Sequence, residues 1–74
     1  MYELRLNSQQ KQKFVNVARY RLAERKKTFK DLAEEINRPV NSVYCFFNNN
    51  QRTNRFIAAE IAKSLGMNQE DWRV

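Results

Sequence analysis

The sequence predicts an all-α fold, a compact bundle of four to five short helices forming a single domain over residues 1–74. Three observations predict it. Apolar residues recur at three- and four-residue spacing through successive stretches, the period of an amphipathic helix. Polar residues of the helix-capping kind stand at the head of those stretches, while one Gly and one Pro leave few other breaks. Apolar residues make up 42% of the chain, with five Phe, three Tyr and one Trp among them, enough for a core. That core must be economical, because a domain this small buries only about 60% of its unfolded surface.

At the start, Tyr2, Leu4 and Leu6 alternate with polar neighbours, which reads as an extended arm over residues 1–7. Asn7 or Ser8 caps a first helix reaching Lys26, with Phe14, Val17 or Ala18, and Leu22 on its apolar face and Val15 and Ala23 alongside. Thr28, with Asp31 three residues on, caps a second helix to Asn37 that buries Leu32, Ala33 and Ile36. Arg38-Pro39 breaks the chain, since proline disfavours a helical residue before it yet suits the first turn of a new helix. The third helix then spans Pro39–Asn48, with Val43 and Phe46 inward. Residues 48–54 are a polar loop by composition. Thr53 or Asn54 caps a fourth helix carrying Phe56, Ile57, Ile61 and Leu65, and Gly66 supplies its left-handed stop. Asn68 opens a final turn that brings Trp72 to the core.

Absent residues exclude whole classes of chemistry. Without His the chain has no imidazole base or imidazole metal ligand, and the lone Cys45 allows neither an internal disulfide nor a thiolate zinc cluster. One Gly cannot furnish a phosphate-cradling loop. No stretch approaches the roughly 20 apolar residues of a membrane helix, and no signal region opens the chain. The expectation is a cytoplasmic binding module rather than an enzyme, without metal, cofactor or small-molecule substrate.

Residues 28–48, two short helices about a tight break, read as a helix-turn-helix. Within and beyond it, Leu32-Ala33-Glu34-Glu35-Ile36-Asn37, Ser42-Val43 and Ile61-Ala62-Lys63-Ser64-Leu65-Gly66 resemble the Cro and phage-repressor family, the likeness covering Thr28 to Trp72. In three respects the chain departs from that pattern. Asn37 stands where the family often has glycine, yet asparagine takes the left-handed conformation at a smaller cost than most residues and so preserves the turn. Phe29 stands where a phosphate-contacting glutamine is common, and the linker before helix four is about one residue longer. The resemblance implies that helix three is the recognition helix and that Val40, Asn41 and either Tyr44 or Cys45 meet base edges. Asn41 can pair with adenine through two hydrogen bonds, and Val40 can touch a thymine methyl.

The charge distribution complicates a DNA reading. Net charge is +6, with a pI near 9.9, which favours an acidic partner. Residues 1–30 hold a balance of +7 and residues 31–74 a balance of −1, and the segment 39–51 carries no charge. Phosphate contacts would therefore fall to Arg38, Arg52, Arg55 and the basic first helix (Lys11, Lys13, Arg19, Arg21, Arg25, Lys26 and Lys27), unless the basic residues of helix one are simply a solvated face. Arg25, Lys26, Lys27 and Lys30 cluster where helix one meets helix two. With Val43 and Phe46 inward, the outer face holds Val40, Asn41, Tyr44, Cys45, Phe47 and Asn48, several of them apolar. Phe47 instead joins the core if the helix is rotated by a residue.

Two functions compete. One is a Cro-like repressor binding double-stranded operator DNA, as a dimer on a two-fold site. Tyr2-Leu4-Leu6 or the C-terminal turn would then serve for dimerisation. The other is an antirepressor of a phage lysis-lysogeny switch, resembling modulators of repression from phages of Gram-positive bacteria. It would insert Val40, Tyr44 and Phe47 into the helix-turn-helix domain of a partner repressor and mask its DNA-binding surface. The neutral, aromatic recognition helix tips the sequence towards the second. A membrane-surface role fits less well, because caps and apolar stripes downstream of the basic first helix indicate a packed domain.

Overall fold

A computed structural model describes residues 4–48 and 55–73, and among these the secondary structure is helical throughout. The helices are α1 (Ser8–Glu24), α2 (Phe29–Glu35), α3 (Val40–Asn48) and α4 (Arg55–Ser64), followed by a 3-10 turn at Gln69–Asp71. Reciprocal caps set three of the starts. Asn7 accepts from the Gln10 N–H at 2.8 Å while the Gln10 side chain accepts from the Asn7 N–H at 3.0 Å. Thr28 with Asp31, and Asn68 with Asp71, repeat the arrangement. The Thr28 N–H first, then its hydroxyl and the charges of Lys27 and Lys30, hold the Asp31 carboxyl below its usual range. At α3 the Pro39 carbonyl accepts from the Ser42 and Val43 N–H groups, so the proline sits just ahead of the helix. Thr53 and Asn54, expected to cap α4, and Tyr2 in the arm lie outside the described residues.

Three helices stop in one way. Lys26, Asn37 and Gly66 have φ of 55°, 57° and 64°, the left-handed region. The next residue's N–H then reaches back, Lys27 to Leu22, Arg38 to Ala33 and Met67 to Ala62, at 2.8–2.9 Å. Asn37 and Gly66 behave as expected from sequence. Lys26, expected to be the last helical residue of α1, instead occupies a conformation that disfavours any side chain branching from Cα.

The core gathers the inner faces of all four helices, with Phe14, Leu32, Val43, Ile61 and Leu65 fully buried and Trp72 closing it from the C-terminal side. In the arm, Leu4 and Leu6 pack on this core, and the Leu4 N–H donates to the Arg55 carbonyl at 3.0 Å. Phe47, expected on the outer face of α3, is only 2% exposed. It stacks on Phe29 with ring centroids 4.6 Å apart and meets Phe46 edge to face at 5.6 Å. Helix α3 therefore buries Val43, Phe46 and Phe47, one residue with its third and fourth successors, and half-buries Val40.

One charged side chain lies in this interior. Lys11, 1% exposed, continues the stripe of Phe14, Val15, Ala18 and Leu22 back by one turn and places its ammonium 4.5 Å from the Phe46 ring centre. Burial holds its pKa below the ordinary lysine value.

Phe47→Ala is expected to cost about 3–5 kcal/mol, enough to unfold most of so small a domain in urea titrations, whereas Phe47→Leu should retain the fold. Lys26→Gly should stabilise by about 1 kcal/mol, raising Tm by several degrees, and Gly66→Ala should destabilise by about as much. A Cβ at Gly66 would meet Arg25 Nη2 at an ordinary 3.8 Å, so the cost there is conformational. Because Lys11 binds its proton less tightly folded than unfolded, its contribution to stability should rise as pH climbs from the lowered value towards the ordinary one. Denaturation of wild type and Lys11→Met across that alkaline window checks the sign: their difference should shift in favour of wild type.

Candidate functional site

Rotating Phe47 inward redraws the outer face of α3. Asn41, Tyr44, Cys45 and Asn48 form its exposed stripe, spaced as one face of a helix requires. Val40 is half-buried at its edge. The stripe is uncharged and mostly polar, and Tyr44, 45% exposed, is its one large aromatic. Tyr44 is held from below by Phe29 at the first helical position of α2, ring to ring at 5.2 Å and 84°. Phe29 is thus the buttress of this face. Its signal in the sequence is an aromatic at the mouth of α2 facing an α3 that carries three more.

Most of the cations proposed for phosphate contact are engaged within the molecule. Arg25 donates from both terminal nitrogens to the carbonyls of Ser64 and Leu65, each at 3.2 Å, completing the C-terminal end of α4. Lys27 pairs with Glu35, which also accepts from the Ser64 hydroxyl at 2.9 Å. The hydrogen bond from Lys27, then that from Ser64, holds the Glu35 carboxyl below its usual range. Arg38 grips Glu60 through Nε and Nη2, the shortest bond being 2.6 Å, and its own pKa is raised first by that hydrogen bonding and then by the carboxylate charge. Lys26 and Lys30 are exposed and form no ion pair among the described residues. The Arg55 guanidinium lies 5.5 Å from the Phe56 ring centre, and Arg52 lies outside the described residues.

The sequence-proposed site therefore divides. Asn41, Tyr44, Cys45 and Asn48 share one face; Val40 borders it; Phe47 belongs to the core; Arg25, Lys27 and Arg38 knit helix ends together. The partners of Arg25 and Arg38 were beyond reach of residue spacing because both lie on α4, Arg25 meeting Ser64 39 residues on and Arg38 meeting Glu60 22 residues on.

Among the described residues no three His, Cys, Asp or Glu side chains come together to hold a metal, and no helix is long and apolar enough to cross a membrane. Cys45 is an exposed free thiol. Compared with models of known protein families, with curated proteins and with solved structures, the chain matches none.

Proposed function

We propose that the chain is a non-enzymatic helix-turn-helix regulator of a phage-type genetic switch, an antirepressor. It docks the α3 face on the helix-turn-helix domain of a partner repressor and masks that protein's DNA-binding surface. One observation carries the reading: the outward stripe of α3 is uncharged, and Arg25, Lys27 and Arg38, three of the candidates for phosphate contact by sequence, are bonded internally. Proteins that read DNA gain much of their affinity by neutralising phosphates. Here Glu35 and Glu60 already offset the charges of Lys27 and Arg38, and two of the Arg25 N–H groups are engaged by the end of α4. Tyr44 supports the same reading, since an exposed tyrosine held rigid from below is the kind of anchor that protein interfaces favour.

Asn41 favours the second reading, a Cro-like repressor of operator DNA. It is exposed on the first turn of α3, where its amide can span the N6 and N7 edge of adenine, and Lys26 and Lys30 remain to meet phosphates.

Fluorescence anisotropy of operator duplex with its repressor, with and without this chain, separates the two. Docking predicts release of the repressor at physiological salt without binding of the duplex by the chain itself. Tyr44→Ala should then weaken the effect about tenfold, equivalent to about 1.4 kcal/mol, with helicity unchanged and with Asn41→Ala nearly silent. Direct DNA binding predicts a steep salt slope for the chain alone and a cost of about 1–3 kcal/mol for Asn41→Ala.

A further inference from the structure

Between the second half of α1 and the α2–α3 pair runs an open groove of ≈ 460 Å³. Arg19, Leu22, Ala23, Lys27, Phe29 and Tyr44 line it; Leu22 is buried and Phe29 half-buried, while Arg19, Ala23 and Tyr44 are exposed. Most of the surface it presents is apolar. Its setting is the most basic part of the molecule: residues 19–30 hold six Lys and Arg against Glu24 alone. Lys27 is paired with Glu35, but Arg19, Lys26 and Lys30 form no ion pair among the described residues.

These features select the occupant. An enclosed pocket would surround a small apolar ligand, whereas this groove is open along its length and suits a side chain delivered by a larger body. A duplex backbone would satisfy the cations yet leave the apolar depth facing sugar and phosphate. A nucleobase would carry its polar edges into that apolar depth. An apolar side chain flanked by carboxylates satisfies both halves.

We propose that this groove is a docking site for an acidic segment of a partner protein, which seats one large apolar side chain over Leu22 and Phe29 while its carboxylates face Arg19 and the cations of the α1–α2 junction. The inference rests on the docking reading above and names the partner's chemistry. It also moves the centre of the interface from the α3 stripe to the cleft that Tyr44 shares with α1. Carboxylates at the rim speed the encounter through long-range attraction, and the buried side chain slows departure.

The test uses the full chain labelled with nitrogen-15 and two short synthetic peptides rich in Asp and Glu, one with a central Trp and one with Ser in its place. The Trp peptide should shift the amide resonances of Leu22, Ala23, Phe29 and Tyr44 and bind about tenfold or more tightly than the Ser peptide, with affinity falling as salt is added. Ala23→Glu, at an exposed position, should keep the fold and weaken the Trp peptide about tenfold; Arg19→Glu should weaken it and flatten its salt dependence. Equal binding of the two peptides, shifts confined to other faces, or displacement of the Trp peptide by single-stranded oligothymidine at similar affinity would overturn the proposal. Repressor release by Ala23→Glu at the wild-type level would also overturn it while leaving masking intact. A wild-type chain that binds the Trp peptide in the groove yet releases no repressor would leave the groove standing and remove masking.

Discussion

Six aromatic rings in unbroken contact cross this domain, and the placement of everything else follows from them. Trp72 meets Phe14 at 5.4 Å, Phe14 meets Phe46 at 5.8 Å, and Phe46 meets Phe47 at 5.6 Å. Phe47 stacks on Phe29, which carries Tyr44 at the surface. The column draws on α1, α2, α3 and the C-terminal turn, so it fastens elements that the chain keeps far apart. Such pairs contribute about 0.5–1.5 kcal/mol each beyond the area they bury, a sizeable share for a domain of this length. Two adjacent rings, Phe46 and Phe47, both lie in the column, and that fixes the rotation of α3. The outward stripe is whatever that rotation leaves over.

The basic charge of the chain is subject to a similar internal demand. Helix C-termini carry partial negative charge and unsatisfied carbonyls. Arg25 answers that need at α4, Lys27 and Ser64 converge on Glu35 at the end of α2, and Arg38 clasps Glu60 across the turn before α3. Exposed pairs of this kind add little stability one by one, about 0–1 kcal/mol. Their larger effect is positional, because they tie Arg25, Lys27 and Arg38 to other elements. The Arg19 guanidinium lies 6.0 Å from the Phe47 ring centre, and Lys26 and Lys30 stay exposed with no ion pair among the described residues. A net charge of +6 thus overstates the attraction available at the α3 face.

What the sequence revealed and what it hid divide along local and non-local lines. The caps at Thr28 and Asn68, the break at Arg38-Pro39, the left-handed stops at Asn37 and Gly66, and Trp72 as an anchor were all legible, because each is decided within a few residues. The start of α1 was narrowed to two candidates, of which Asn7 is the cap. Phe47 was not legible, since Val43 with Phe46 is an acceptable inner pair at either rotation and only Phe29, from another helix, decides the matter. The groove was hidden for the same reason, its residues coming from three helices. Lys11 was not legible: the sequence counted it with the outward charges of helix one, and a lysine reads as surface until its burial and the ring of Phe46 beside it are seen.

The three left-handed stops bear on how the chain reaches this state. Each is closed by backbone bonds spanning only a few residues, from Leu22 to Lys27, Ala33 to Arg38 and Met67 to Ala62. Helix ends can therefore be set before distant parts of the chain have met, and helical domains rich in local contacts fold on the microsecond to millisecond scale. The long closure is that of Trp72 upon Phe14, which joins the two ends of the domain and must wait for the helices. Helix length is thus fixed by contacts local to each stop, whereas the outer face of α3 depends on Phe47 stacking against Phe29 from another helix.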